Sequence, residues 1–450
     1  MSFWTWNRVL TTLGVAQRQE DFPIARICTD SRQCQPGDLF VALPGERFDG
    51  HQFLEQALQR GACAVLVERL PVSPFAVARG LQVPSTLQAL ARLSRAQREI
   101  LNPRVIAVTG SNGKTTVKEM VANILRASEG EAGASRVWAT PGNFNNAIGV
   151  PLTLLQLTEK HRWAVVEMGM NHAGEIAELT AMALPDVALI TNVQRAHLGF
   201  LGSLEQIACA KAEIFSGLGT TGVAIFPETV PFREHLEQAA QGHRTLTFGL
   251  EPGAAVQGTV QGGALVIRLG EVAFPVRLQV PGRHNQNNAL AAAAVAYASG
   301  VAAEHIRSGL EAFSGVAGRL QSCFSALGAL ILNDTYNANP DSVRAALAVL
   351  AEREGRRILV LGDLGELGEQ APALHAELGH EARALGIDEC YTVGELAALT
   401  SASFGAMGHH EVTAERLVAR LRPQLNAQTV VLVKGSRFMK METIVAGLLA

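Results

Sequence analysis

The sequence predicts an α/β protein of three domains. These are a small α/β domain at residues 1–83, a central domain with a mostly parallel sheet at 84–315, and a Rossmann-like α/β domain at 316–450. Three observations carry that reading. The chain has 450 residues, and at about 150 residues per domain this length suggests about three. From about residue 104, short Val/Ile-rich runs alternate with helical patterns, the rhythm of βαβ units and a parallel sheet. A second alternation of the same kind begins near residue 356.

The elements follow in order. The first 80 or so residues show short strands, turn signals at Pro36-Gly37 and Asp49-Gly50, and an amphipathic helix over Gln52–Gln59 stopped by Gly61. In the central domain, RVIAVTG (104–110), RWAVVEMG (162–169), VALITNV (187–193) and GVAIFP (222–227) lack clean alternation, as strands covered on both faces do. Ser203 and Gln206 fit a capping box, which predicts a helix to about Leu218, before Gly219. In the last domain, RRILVLGD (356–363), ECYTVGE (389–395) and TVVLVKGS (429–436) read as strands and 372–385 as a helix. The domain boundaries are placed before Pro84 and in the Ser314-Gly315 region.

Composition excludes several classes. Lys plus Arg is 38 and Asp plus Glu is 41, a net charge of −3, which argues against a nucleic-acid-binding surface. With 48% apolar and 18% charged residues, the chain is not a disordered one. The start, MSFWTWNRVLTTLG, does not read as a secretory signal. The most apolar run, Ala289–Ala303, is broken by Ser299 and Gly300 and is shorter than the roughly 20 residues of a membrane span. The six cysteines are scattered without a CxxC pair, so neither a disulfide framework nor a zinc site is expected. A soluble, cytoplasmic monomer is the default expectation.

The strongest chemical signal is VTGSNGKTT, Val108–Thr116, which follows a strand and precedes a helical pattern. Gly110 and Gly113 let the backbone curl so that its amides face phosphate oxygens, and the helix adds its positive end. Lys114 belongs against the terminal phosphates, and the Thr115 hydroxyl belongs on Mg²⁺. The match to GxxxxGK[ST] is imperfect, since Val108 stands where the first glycine would be. Glu167 ends a predicted strand, where a carboxylate in an apolar run needs a partner or a metal. His197 follows the next strand and Lys211 lies in the capped helix. Carboxyl ends of strands surround the ligand crevice of an open parallel sheet, so Glu167 and His197 are expected to face the phosphate loop.

Together the TGSNGKTT loop, Glu167, the His197 segment and Lys211 resemble the central ATPase domain of the Mur ligases, the family that builds the peptide stem of peptidoglycan. The resemblance covers essentially the whole chain. It implies ATP contacts at Thr109, Gly110, Ser111, Asn112, Gly113, Lys114, Thr115 and Thr116, and magnesium held by Thr115, Glu167, His197 and a carbamylated Lys211. PGNFNNAIGVPLTLL (141–155) resembles a segment lining the family's active site and puts Asn143, Asn145 and Asn146 at the substrate. GRHNQNNALAAAAVA (282–296) resembles the nucleotide-binding turn and its helix, with His284, Asn285 and Asn288 carried over. AGRLQ (317–321) puts Arg319 near the ATP phosphates.

NDTYNANPDSVRAAL (333–347), LGDLGELG (361–368) and VLVKGSRFMKME (431–442) resemble the branch of the family that adds a D-alanyl-D-alanine dipeptide to a UDP-N-acetylmuramoyl-tripeptide. That implies Asp334 and Tyr336 at the nucleotide, and Asn337 and Asn339 at the substrate. TDSRQCQPGDLFVALPGERFDGHQFL (29–54) resembles a uridine-diphosphate-binding segment, with Ser31 and Arg32 as contacts. The implied chemistry passes through an acyl phosphate made by Lys114, Lys211, His197 and Arg319 with ATP and Mg²⁺. The alternatives are a folylpolyglutamate-synthase-like ligase, disfavoured by the 29–54 segment, and a non-ligase P-loop ATPase. A guanine-reading Asn-Lys-x-Asp motif is absent. The third residue of the tripeptide, lysine or diaminopimelate, stays open.

Overall fold

A computed structural model describes residues 3–45, 48–69, 79–196 and 198–450. Near the amino terminus, four short parallel strands pair in the order Ile27–Cys28, Leu39–Val41, Ala64–Val67 and Gly80–Gln82. Alternate residues of these strands point to opposite faces. Leu39, Val41, Ala64 and Leu66 therefore join Trp4, Trp6 and Leu10 in one cluster. Phe40, Val65 and Val67 join Leu54 and Ala57 in the other. The helix Thr86–Leu101, capped by the Ser85 hydroxyl, adds Ala89, Leu90 and Leu93 to the first cluster. The same helix reaches the next unit. Gln97 Nε2 donates to the Leu155 and Leu157 carbonyls at 3.0 and 2.7 Å, and Arg98 Nε donates to Ala183 O at 2.8 Å.

The central sheet has nine strands. From one edge they are Val137–Ala139, Trp163–Glu167, Arg104–Thr109, Val187–Ile190, Val223–Pro227, Arg244–Gly249, Val256–Gln261, Ala264–Leu269 and Val272–Val276. The first seven pair in parallel and the last two antiparallel. The predicted strands at 104, 163, 187 and 223 are all present. The hairpin Val256–Val276 is an addition that the sequence reading did not contain. Its Gly262-Gly263 turn has φ of 54° and 77°, the two left-handed residues that a tight hairpin needs. Helices Lys114–Ser128 and Arg283–Ala298 cover one face of the sheet. Gly149–Leu154, Glu175–Ala183 and Leu204–Ala212 cover the other. The Ser203 cap forms as one half of the expected box, with Gln206 N donating to Ser203 Oγ at 3.1 Å. The α-helix stops at Ala212 and tightens into a 3₁₀ turn over Glu213–Gly217, short of the predicted end.

Strand Arg104–Thr109 lies between strands that continue to opposite sides of the sheet. Its carboxyl end is thus the switch point at which open α/β sheets bind ligands. The last unit is a six-stranded sheet in the order Gln321–Phe324, Leu330–Asp334, Thr429–Lys434, Arg356–Gly362, Glu389–Val393 and Gly408–Glu411. Only its first pair is antiparallel. The predicted helix after residue 371 runs Ala371–Ala384.

Candidate active site

The phosphate loop turns where the sheet switches direction. Gly110 has φ 147° and Gly113 φ 80°. A Cβ at Gly110 would lie 1.9 Å from Thr191 Oγ1, and one at Gly113 would lie 2.4 Å from Asn288 Oδ1. Only glycine lets the loop pass this close to the neighbouring strand and helix. Lys114 opens the helix and bends back, donating to Gly110 O at 2.8 Å. Burial pushes its ammonium below the ordinary lysine value, Glu167 opposes that shift and Arg319 adds to it.

Glu167, at the end of its strand and 1% exposed, accepts from Thr115 Oγ1 and Asn145 Nδ2, both at 2.8 Å. Arg319 Nη2 reaches from the last unit and donates to Thr115 Oγ1 at 2.8 Å. Its guanidinium lies 4.2 Å from the centre of the Tyr336 ring, and its Nε is buried without a partner. Lys211 is 1% exposed. Burial first, and then the nearby Lys114 charge, hold its amine well below the usual lysine range. His197 lies outside the described residues.

A cavity of about 790 Å³ gathers most of the sequence-predicted set. Ser111, Asn112, Gly113, Lys114 and Thr116 line it beside Asn143, Asn145, Asn146 and Glu167. His284, Asn285 and Asn288 come from the turn and helix of the central unit, and Arg319, Asp334, Tyr336, Asn337 and Asn339 come from the last unit. Thr109, Gly110 and Thr115 are not part of this lining, although Thr115 bonds to Glu167, which is. Burial lowers the His284 imidazole below its ordinary value, which favours the neutral ring. Ser31 and Arg32 are not at this cavity. They sit on the first unit, where Ser31 Oγ donates to Gln56 Oε1 at 2.6 Å and Arg32, its side chain 80% exposed, pairs with Asp30 at 2.8 Å.

Several contributors escaped the sequence reading. Lys434 ends an apolar strand, is 2% exposed, and pairs with Asp334 at 2.6 Å while donating to Asn337 O at 2.9 Å. A lysine inside TVVLVKGS was the available signal. Asn192 Oδ1 accepts from the Asn112 amide at 2.9 Å, and Gln194 Oε1 accepts from Asn112 Nδ2 at 2.7 Å. Fully buried Lys118, one turn beyond Lys114, donates to Thr140 O at 2.6 Å and so anchors the chain entering 141–146. His375, fully buried, accepts from the Leu364 amide on Nε2 at 3.0 Å. Its Nδ1–H therefore donates to Ala371 O, at 2.7 Å. That pair fixes the loop which presents Gly365, Glu366 and Leu367 to the cavity.

Although the sequence has no CxxC pair, Cys28 and Cys34 meet Asp38 with their ligand atoms within 4.8 Å of one another. Both Asp38 oxygens already accept from Arg26 Nε, at 3.1 and 3.0 Å, and Oδ2 also accepts from the Gln35 amide at 2.8 Å. Burial, with Cys28 alongside, pushes the Cys34 thiol up to about 12. A committed carboxylate and a protonated thiol are a poor metal set.

Comparison with known proteins matches the chain in three stretches. Family models described as "Mur ligase family, catalytic domain", "Mur ligase middle domain" and "Mur ligase, glutamate ligase domain" match residues 23–98, 108–296 and 318–437. The chain is 41% identical over 437 residues to the UDP-N-acetylmuramoyl-tripeptide–D-alanyl-D-alanine ligase of Haemophilus influenzae, covering 95% of this chain and 94% of that protein. It is 41% identical over 456 residues to the Escherichia coli protein of the same name, covering 99% and 98%. Among solved structures it resembles MurF from Acinetobacter baumannii, with a TM-score of 0.90 at 37% identity over 99% of this chain and 98% of that one. It also resembles MurF from Thermotoga maritima in complex with ADP, with a TM-score of 0.83 at 30% identity over 94% and 96%.

Proposed function

The chain belongs to the Mur ligase family, and on that premise we propose that it is the ATP-dependent amide ligase that joins D-alanyl-D-alanine to UDP-N-acetylmuramoyl-tripeptide, yielding the pentapeptide precursor of peptidoglycan. One observation carries the reading. The cavity has the phosphate loop on one wall and the Tyr336–Asn339 run on the other, with Arg319 crossing from the last unit to Thr115.

The chemical demand is to bring a carboxylate up to a triphosphate, two anions that repel. Lys114 and Arg319 supply fixed positive charge where negative charge builds on the transferred phosphoryl group. Glycine-shaped backbone at 110–113 and the start of helix Lys114–Ser128 orient the phosphates. Arg319 is itself oriented by stacking on Tyr336. Attack of the tripeptide carboxylate on the γ-phosphorus breaks its bond to ADP and gives an acyl phosphate. The dipeptide amine, seated beside Asn337 and Asn339 on the residue 316–450 domain, then attacks the acyl carbon, loses a proton and expels phosphate as the amide forms. Asn143, Asn145 and Asn146 line the tripeptide end. Ser31 and Arg32, on the 1–83 domain, take the uridine diphosphate, for which the exposed Arg32 guanidinium is suited. Each substrate thus has its own domain and the chemistry sits in the 84–315 domain, so much of the acceleration is positioning.

The donor set fits a hard divalent cation. Thr115 Oγ1 and Glu167 Oε2 are oxygen donors 2.8 Å apart, the kind Mg²⁺ prefers. A bare ammonium at Lys211 would oppose a metal. Burial favours its neutral amine, the form that captures CO₂ and becomes an anionic oxygen ligand. Thr115, Glu167, His197 and carbamylated Lys211 would hold the ion, which when bound neutralises phosphate charge. No helix among the described residues is long and apolar enough to cross a membrane.

The test is phosphate release with ATP, D-Ala-D-Ala and each UDP-N-acetylmuramoyl-tripeptide, ending in lysine or diaminopimelate. Release is expected only with all three substrates present. Equal rates with a single free amino acid as acceptor would move the protein to another branch of the family.

A further inference from the structure

Outside the nucleotide contacts, the central and last units touch through a compact polar cluster. Its centre is Arg195, on the segment after strand Val187–Ile190, and Asp341, in the first turn of helix Pro340–Ala351. Arg195 Nη2 donates to Asp341 Oδ1 at 2.9 Å, and Nε contacts both oxygens at 3.3 and 3.4 Å. The Arg195 backbone amide adds a third donor, to Oδ2 at 2.8 Å. Asp341 is also held from behind by Arg344 at 3.1 Å, and Arg344 is clamped to Glu381 at 2.8 and 2.9 Å. The carboxylate is therefore braced on its own domain and offered to Arg195 in a fixed geometry. Two residues before Asp341, Asn339 Nδ2 donates to Asn112 Oδ1 of the phosphate loop at 2.8 Å. The same Asn339 caps the helix through Ser342 N at 2.9 Å. A third point, Gly199 N to Glu366 O at 2.9 Å, flanks the pair.

We propose that Arg195 and Asp341 form the latch that holds the last domain closed against the phosphate loop, and that they act as positioning residues for the ligation. The latch sets the distance between the Asn337–Asn339 run and the phosphate loop. It rests on the reading above only in naming which reaction it serves. Closure brings together anionic substrates that repel, and an ion pair that spans the two domains favours the form that reacts. A half-exposed pair on its own would contribute little. Here the bidentate geometry, the added amide donor and the Arg344 brace remove most of the side-chain freedom that makes surface pairs weak.

The experiment has two readouts on the full chain. The first is the radius of gyration by small-angle X-ray scattering, without substrates. Wild type should be the most compact, Arg195→Lys close to it, and Arg195→Ala and Asp341→Ala expanded. Asp341→Ala should have the larger effect, because Arg195→Ala keeps the amide donor. The second is phosphate release. Each alanine variant should lower kcat/KM for D-Ala-D-Ala about tenfold, while KM for the UDP substrate moves less than twofold. The double variant should be no worse than Asp341→Ala alone. Unchanged thermal melting of the single variants separates loss of the latch from misfolding. Unchanged compactness in both alanine variants, or effects that multiply in the double variant, would overturn the latch. Should wild type release no phosphate with these substrates, the functional reading fails while the scattering comparison still decides the latch.

Discussion

Lys211 is an amine sealed into the protein beside the charge of Lys114, with burial as the main influence on its protonation. That arrangement carries a sign. The native amine releases its proton at a pH where the unfolded lysine, near 10.4, still holds one. Between those two values the unfolded state binds more protons, so stability rises with pH across the window. Lys211→Met removes the titration and with it the cost of releasing a proton on folding. In metal-free buffer the variant should be the more stable protein at neutral pH, and its lead should shrink as pH climbs toward 10. Urea midpoints at several pH values would show it, and parallel curves for the two proteins would refute the assignment. Turnover should move the opposite way. Lys211→Ala is expected to lose about a hundredfold or more in phosphate release and to recover part of it with acetate, a small carboxylate able to occupy the vacated space. Full activity of Lys211→Ala in bicarbonate-free buffer would remove the carbamate from the mechanism.

Among the elements, helix Ala303–Glu311 packs on the phosphate-loop helix with Gly309 at the closest approach. A Cβ at Gly309 would lie 2.4 Å from Ile124 Cα, a backbone atom that cannot swing aside. Two effects compete in Gly309→Ala. Helix propensity favours alanine by about 1 kcal/mol, while forcing two helices apart costs about 1–3 kcal/mol. Overpacking should win, and the variant should unfold at lower urea; a gain in stability would mean the helices yield freely. The strands that build the site were legible because they are buried on both faces and read as unbroken Val/Ile runs, as at 104–109 and 429–434. The hairpin 256–276 was not, although Gly262-Gly263 marked its turn. Its strands alternate buried with half-buried or exposed residues, as in Ala264–Leu269, and polar residues such as Gln257 and Gln261 dilute the apolar signal. The phosphate loop and Glu167 were readable because glycine spacing and a strand-end carboxylate are local features. Arg195 and Asp341, 146 residues apart, were not, because nothing in either neighbourhood names the other.

At the scale of the whole molecule, the helix Thr86–Leu101 matters most for how the parts melt. Its amino-terminal half completes the core of the first unit with Ala89, Leu90 and Leu93, while Gln97 and Arg98 grip carbonyls of the second. Gln97 also accepts from Trp4 Nε1 at 2.6 Å, so one side chain is bonded to both. Neither unit can lose this helix without exposing apolar surface and orphaning buried polar groups, each a penalty of about 1–3 kcal/mol. A fragment ending at residue 83 would lack part of its own core and should not fold, whereas one extended through Leu101 would expose Gln97 and Arg98 but keep Leu90 and Leu93. In a scanning calorimeter the first and second units should give one endotherm, with calorimetric and van't Hoff enthalpies in agreement for that peak. The last unit is attached by polar contacts and one short connection, so it is free to give a second. A separate early peak from the first unit would show that the shared helix is a tether and not a common core. If the endotherms fuse as expected, the seat proposed for uridine diphosphate keeps a constant separation from the phosphate loop. The enzyme would then act as a fixed-gauge caliper, reading the length of the peptide strung between them.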